Sequence, residues 1–268
     1  MRIALAFVLL VSLATLTAWQ AVPFPGSVAP TGAAAPTITY VAAASGTNTT
    51  GSASCTVPVT FTSGQLAIAY ISNAYGTTDV HTITLSVSDG TNTYTQFSTS
   101  PYTDASNYNR EAYWWTQPAT GAVTVTFTAS SSAGNLQCIV VGYTSSSGWK
   151  ASPIDKEATP AALGSGTLGL CPTTVTYSSN ATATTVQDTE LEIGMFALST
   201  SAATGATWTA GAGFTQRQVS LDAEGFAELE DAVSISPGAF TATANFCTAS
   251  SSIPLDSGAG LLVTLRPN

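Results

Sequence analysis

"GAVTVTFTAS", residues 121–130, alternates apolar and hydroxyl side chains from Val123 to Thr128. A period of two puts Val123, Val125 and Phe127 on one face and Thr124, Thr126 and Thr128 on the other, the mark of a half-buried strand rather than a helix. Valine and threonine are stiff at χ1 and suit a pleated surface. Shorter versions of the pattern recur from Ile38 onward, bounded by Gly, Ser, Asn and Thr clusters. They include "CTVPVTF" (55–61), "QLAIAYI" (65–71), "HTITLSVS" (81–88), "LQCIVVGYT" (136–144), "TTVTYSS" (173–179), "LEIGMFALS" (191–199) and "GLLVTLR" (260–266). No helical period is sustained beyond the first residues. The pattern predicts an all-β chain folded as an antiparallel, jelly-roll-like β-sandwich.

An internal match organises the strands. "SGQLAIAY" (63–70) resembles "DTELEIGM" (188–195), "YTQ" (94–96) resembles "FTQ" (214–216), and the opening stretch resembles "GAFTATANFC" (238–247), all in the same order. Two pseudo-repeated halves, 38–146 and 167–268, are therefore expected around one shared core, with two tandem small sandwiches as the alternative. The long connection 143–166 carries the chain between them.

Just before the opening stretch stand Tyr113, Trp114 and Trp115 in "EAYWWTQ". Counting back from Gly121 and Gly238 sets Trp114 against Asp231. By the parity of Leu229, Val233 and Ile235, Trp114 is expected to point inward and Tyr113 and Trp115 outward. Two outward rings about 7 Å apart on one face match the spacing of sugars in an extended glycan. Arg110 and Glu111 adjoin them as candidate polar contacts. The competing expectation is that the loop "SPYTDASNYNR" (100–110) covers the rings.

Acids supply the remaining candidates. Glu190 and Glu192 share a strand face, as do the paired carboxylates of β-jelly-roll glycosidases, but Gly194, Met195 and Phe196 stand where that pattern continues with another carboxylate. Asp222, Glu224, Glu228, Glu230 and Asp231 form the densest charge in the chain, a candidate structural Ca²⁺ site or a solvated edge that resists aggregation. Asp155 and Glu157 read as turn formers, and the single histidine, His81, as a structural residue at a strand edge. No other cofactor is implied.

Composition limits the partners. Of 268 residues only 8% are charged and the net charge is -9, which repels nucleic acid and anionic headgroups. "MRIALAFVLLVSLATLTAWQA" at the start has the secretory pattern, with 1–18 expected as a signal peptide and 19–37 as a flexible leader before a β-sandwich domain over 38–268. An uncleaved anchor is the alternative; after cleavage no membrane association is expected. Export permits disulfides among Cys55, Cys138, Cys171 and Cys247, and the expected pairs are Cys55 with Cys138 and Cys171 with Cys247. Their wide spacing disfavours zinc.

"VAAASGTNTT" (41–50), "AYWW" (112–115), "IVVGYTS" (139–145) with "SPID" (152–155), "TELEIGMFA" (189–197), "GFTQR" (213–217) and "GAGLLVTLRP" (258–267) together resemble a β-sandwich module of secreted bacterial and phage-associated surface proteins. The resemblance implies a secreted or cell-surface protein without catalysis. The expected function is binding of a polysaccharide or cell-surface component. Self-association as a structural or adhesive envelope protein and glycan cleavage are the alternatives.

Overall fold

The computed structural model describes residues 34–48, 52–74, 79–104, 107–132, 134–163, 166–200, 205–222, 224–249 and 254–268. The expected signal peptide and nearly all of the leader lie outside the described residues. Among the described residues every regular element is a strand and none is a helix.

The first sheet is built from β1 (Ile38–Asn48), β2 (Ser54–Ala74), β3 (Leu85–Ser88), β4 (Thr95–Gln96), β5 (Tyr102–Thr103), β6 (Asn109–Ala129) and β7 (Asn135–Ser145). Its order is β1-β7-β2-β6-β3, with β4 and β5 also on β6. The chain continues through β8 (Trp149–Glu157), β9 (Ala161–Ala162), β10 (Gly166–Thr167), β11 (Val175–Ser178), β12 (Glu190–Thr200), β13 (Thr207–Ala210), β14 (Thr215–Leu221), β15 (Gly225–Ser234), β16 (Thr243–Cys247) and β17 (Pro254–Pro267). The second sheet has the order β10-β17-β12-β15-β14, with β8 and β9 on β17, and a third has the order β11-β16-β13. Every pairing between these strands is antiparallel.

β2 and β6 are each 21 residues long, and burial divides them. In β2, residues 54–61 alternate exposed and buried, whereas residues 65–74 are buried throughout. The inner halves are thus covered on both faces and the outer halves on one. Between the halves the register shifts at Phe61/Gln65 and Gln65/Ala67. Gly64 and Gly121 there adopt left-handed φ of 85° and 89°, open to glycine at little steric cost, and Pro118 offers no N–H to the ladder. The outer halves of β2 and β6, with β3, form a flap over the inner halves. Val57, Val59, Phe61, Val125 and Phe127 of the flap pack on Ala67, Ala69, Ile71, Ala112, Trp114 and Val140 beneath it. Three alanines leave room for Trp114, whose ring lies 6.4 Å from Phe127.

The opposite face of the inner sheet presents Leu66, Ile68, Tyr70, Tyr113, Ile139, Val141 and Tyr143 to Leu191, Ile193, Met195, Leu229, Leu261, Val263 and Leu265 of the second sheet. The third sheet covers the other face of the second, with Trp208 near Phe196 and Phe246 near Phe226. Four layers result: flap, first sheet, second sheet, third sheet. A core is shared between the two large sheets, and each outer layer closes a further one.

Two segments flanking the third sheet pair with an unusual period. N–H groups of Ser179, Thr182 and Thr185 donate to the carbonyls of Ala242, Phe240 and Gly238, whose own N–H groups donate back to the three hydroxyls. Three residues on one side meet two on the other, so the hydroxyls substitute for a backbone ladder that ordinary strand geometry would supply. Cys171 and Cys247 form a disulfide at the margin of this layer. The expected second pair is corrected: Cys55 and Cys138 are free, buried thiols, with burial and their mutual contact holding the Cys138 thiol well above its ordinary value.

Because Trp114 fills the space beneath the flap, Trp114→Ala should destabilise the protein by roughly 3–5 kcal/mol, while Thr124→Ala on the flap's outer face should stay within about 0.5 kcal/mol. Urea unfolding of the two variants checks this; equal midpoints would remove Trp114 from the core.

Candidate functional site

The structure relocates the aromatic candidates. Tyr113 is fully buried and stacks on Tyr70, centroids 5.2 Å apart and planes at 13°. Trp115 is half-buried on the same face, packed against the central core, and Trp114 points the other way, into the flap core. The outward position expected for Tyr113 and Trp115 is therefore corrected. In the ladder Tyr113 lies opposite Tyr70 and Trp115 opposite Ile68, both on the face turned to the central core, while Trp114 lies opposite Ala69 beneath the flap. Counting back from Gly121 crosses the register shift between the two halves of β6, and parity does not carry across such a shift.

Glu111 is fully buried beside Tyr113. The Tyr113 hydroxyl donates to its Oε2, Tyr70 donates to the same oxygen at 3.1 Å, and Asn109 Nδ2 donates to Oε1 at 2.7 Å. Ser72 Oγ in turn donates to Asn109 Oδ1 at 2.8 Å. Burial pushes the Glu111 carboxyl up to about 8 in spite of these bonds. Arg110 faces away, its guanidinium donating to Thr103 Oγ1 at 2.6 Å and to the His81 carbonyl. The four candidates do not form one exposed surface. Tyr113 and Glu111 belong to a closed interior network.

The acids are interior as well. Opposite partners in an antiparallel ladder share a face, so the pairings Glu190↔Ser234, Glu192↔Ala232, Gly194↔Glu230 and Phe196↔Glu228 put Glu190, Glu192, Glu228 and Glu230 on the face of the second sheet that carries Phe196, toward the third. Three are fully buried and Glu192 nearly so. Gln216 Nε2 donates to Glu228 Oε1 at 2.8 Å and the Gly211 N–H to Glu230 Oε2 at 3.0 Å, leaving one oxygen of each without a partner. Burial raises Glu190, Glu192 and Glu228 to about 7 and Glu230 to about 8. Glu190 and Glu192 share a face as expected, but no sugar ring reaches carboxyls enclosed in this way.

The five acids suggested for Ca²⁺ disperse. Glu228 and Glu230 face the third sheet. Asp231 takes the opposite face, bonded to Arg217 at 2.8 Å, and Arg217 also lies 4.5 Å over the Tyr40 ring. Glu224 accepts from Asn135 at 2.9 Å, and Asp222 closes a turn onto the Gly225 carbonyl through its N–H. Among the described residues no three His, Cys, Asp or Glu side chains are grouped to hold a metal ion. The expected solvated edge is corrected too: Glu228 and Glu230 are buried, while Val233 near the end of β15 and Ile235 just beyond it, both expected inside, are exposed.

The outer faces of the flap and the third sheet carry mostly hydroxyls. The outer face of the flap presents Ser54, Thr56, Pro58 and Thr60 of β2, Ala122, Thr124, Thr126 and Thr128 of β6, and Ser86 and Ser88 of β3; all are exposed except Thr126, which is half-buried. Register aligns them in rows: Ser88, Thr126 and Thr56 in one, Ser86, Thr128 and Ser54 in the next. Neighbours stand about 4.8 Å apart across the strands and about 6.8 Å along them. None of the ten carries a charge, in a chain of net charge -9. A shallow pocket of about 400 Å³ is lined here by Pro58, Val59, Thr60, Ala122, Val123 and Thr124, residues from both sides of the flap. The third sheet is similar outside, with Thr176, Ser178, Thr207 and Thr209 exposed, Thr243 and Asn245 half-buried, and the Thr176 hydroxyl bonded to Asn245 Oδ1 at 2.6 Å. The signal for both faces lies in the polar half of each alternation, which by itself marks only the solvent side of a strand.

Comparison with known protein families, with curated proteins and with solved structures finds no match.

The buried glutamates set a pH dependence. Their carboxyls hold protons in the folded state up to about pH 7–8, against an ordinary glutamate value of 4.5. Between those limits the folded chain binds more protons than the unfolded one, so stability falls as pH rises, by about 1.4 kcal/mol per pH unit for each full proton of difference. The contribution is complete below pH 4.5 and lost by about pH 8. Thermal unfolding should occur at higher temperature at pH 5 than at pH 8.5, and Glu230→Gln should narrow that gap. A protein more stable at pH 8.5 would refute the assignment.

Proposed function

We propose that this protein is a non-catalytic module that works outside the cell, where its outward hydroxyl faces bind an uncharged polysaccharide. The observation that carries the reading is the outer face of the flap. Ordered threonine hydroxyls can donate to and accept from sugar hydroxyls, and the threonine methyls with Pro58 and Ala122 offer apolar area to the C–H faces of a sugar ring. The absence of charge on that face suits a neutral partner, while the net charge of -9 opposes an anionic one.

Three further points support it. The carboxylates of the glycosidase-like pair are enclosed, which favours binding over hydrolysis. The resemblance to a β-sandwich module of secreted bacterial and phage-associated surface proteins points to an extracellular setting. A disulfide between Cys171 and Cys247 suits an oxidising compartment.

A second reading has the flap pairing with another copy of the chain, because β3 pairs only with β6 and leaves its other edge without a partner strand among the described residues.

Pull-down on cellulose, chitin and curdlan separates these readings. At least one of the three should retain the protein, and Thr56→Lys with Thr124→Lys should weaken retention at least tenfold, about 1.4 kcal/mol, while Trp115→Ala leaves it unchanged. Retention by none of them, with concentration-dependent assembly in solution, would favour self-association. Loss on Trp115→Ala alone would return the site to the aromatics.

A further inference from the structure

A larger pocket lies where the flap turns over. Gln117 and Pro118 of the turn form one wall, Trp149 and Ala151 at the start of β8 form another, and Asn268 stands beside them. The space between is about 480 Å³, within the range of small-molecule sites. β8 pairs with β17 at Trp149↔Pro267 and again at Ile154↔Leu265, so residues 150–153 stand against Arg266 alone. β8 therefore bulges from its sheet here. Gln117 Nε2, from the first sheet, donates to the Lys150 carbonyl on the bulge, and Ala151 is exposed.

Three polar groups in this pocket lack a protein partner. Trp149 is only 8% exposed, its indole packed in the central core, and its N–H has no acceptor among the described residues. A buried donor left this way is costly, and a ligand oxygen would relieve it. The carboxamides of Gln117 and Asn268 donate to the carbonyls of Lys150 and Trp149, the second at 2.9 Å, which fixes their planes. Their own oxygens accept no bond among the described residues.

We propose that this hinge pocket is a subsite for one uncharged sugar ring. One donor and two oriented acceptors match the hydroxyls of a pyranose, each of which can give or take a hydrogen bond. Pro118 and Ala151 offer apolar area to the C–H face of the ring, and no lining residue is charged. Gly64 and Gly148 border the space at left-handed φ of 85° and 75° and carry no side chain to fill it. The proposal rests on the reading of the protein as a binder of uncharged polysaccharide and adds a subsite to it. Gly64 stands four positions from Thr60, and Pro118 four from Ala122, at most about 14 Å of chain, so a glycan on the flap lies within a few sugar units of the pocket. The flap face accepts neutral glycans broadly. A pocket with fixed acceptors discriminates between them, because a ring whose hydroxyls miss those groups leaves them unpaired.

Cellohexaose, N-acetylchitohexaose and laminarihexaose serve as soluble probes, read by NMR titration and by calorimetry. At least one should shift the Trp149 indole N–H and the side-chain amide signals of Gln117 and Asn268. Trp149→Phe keeps a ring in the core and removes the N–H; it should weaken binding of that hexaose about three- to tenfold, as should Gln117→Ala, with near-UV circular dichroism showing the fold intact. Thr56→Lys/Thr124→Lys should weaken binding and leave the Trp149 shift at saturation in place. If a hexaose binds and moves the Thr56 and Thr124 methyls while the pocket signals stay silent, or if both pocket variants bind like the wild type, the pocket proposal is wrong and the flap reading stands. Retention on cellulose, chitin or curdlan with no Trp149 shift from any hexaose overturns the pocket in the same way. If the pocket signals move and the flap substitutions change nothing, the pocket is upheld and the flap reading fails. If no hexaose binds and none of the three polysaccharides retains the protein, both fall together.

Discussion

The fold depends on two long strands turning over at one place. Were β2 and β6 straight, their 21 residues would span about 70 Å, far beyond a domain of this size, and Val57, Val59, Val125 and Phe127 would face solvent. The turn at Gly64, Pro118 and Gly121 folds the outer halves back and buries those side chains on Ala67, Ala69 and Ala112. It also leaves the inner halves largely covered on both faces. The chain accordingly reads as continuous apolar sequence there, "QLAIAYI", and as alternation in the flap, "CTVPVTF".

Burial on both faces explains the acids. In a two-layer sandwich one side of each strand meets water, and glutamates such as Glu228 and Glu230 would mark that side. Here the third sheet lies over them, and their carboxyls exchange water for a few donors, Gln216 and the Gly211 N–H among them. The low-energy state of such a group is the neutral acid. Charge on that interior face would work against the cover formed by Trp208 and Phe246.

Much of the fold was legible from the sequence. Alternation identified the strands, and their antiparallel arrangement followed from short loops and turn residues. The inward direction of Trp114 was legible, but that of Tyr113 and Trp115 was not, because the irregular stretch between β6's two halves breaks the count and nothing in "WWTQPATG" says by how much. The burial of Glu228 and Glu230 was hidden for a different reason: parity reports which residues share a face but not whether another layer covers it. The threonine faces were visible as letters and uninformative as a pattern, since exposed threonine is also what any half-buried strand shows. Only the register that aligns Ser88, Thr126 and Thr56 makes a surface of them.

On the proposed reading, contact with the outside falls to the hydroxyl faces, while the buried aromatic residues hold the layers together. Threonine-methyl NMR during titration with hydroxyethyl cellulose addresses it directly. The methyls of Thr56, Thr124, Thr176 and Thr209 should shift while the indole N–H signals of Trp114 and Trp115 stay in place. Shifts at Trp115 and Arg110 with silent threonine methyls would contradict it.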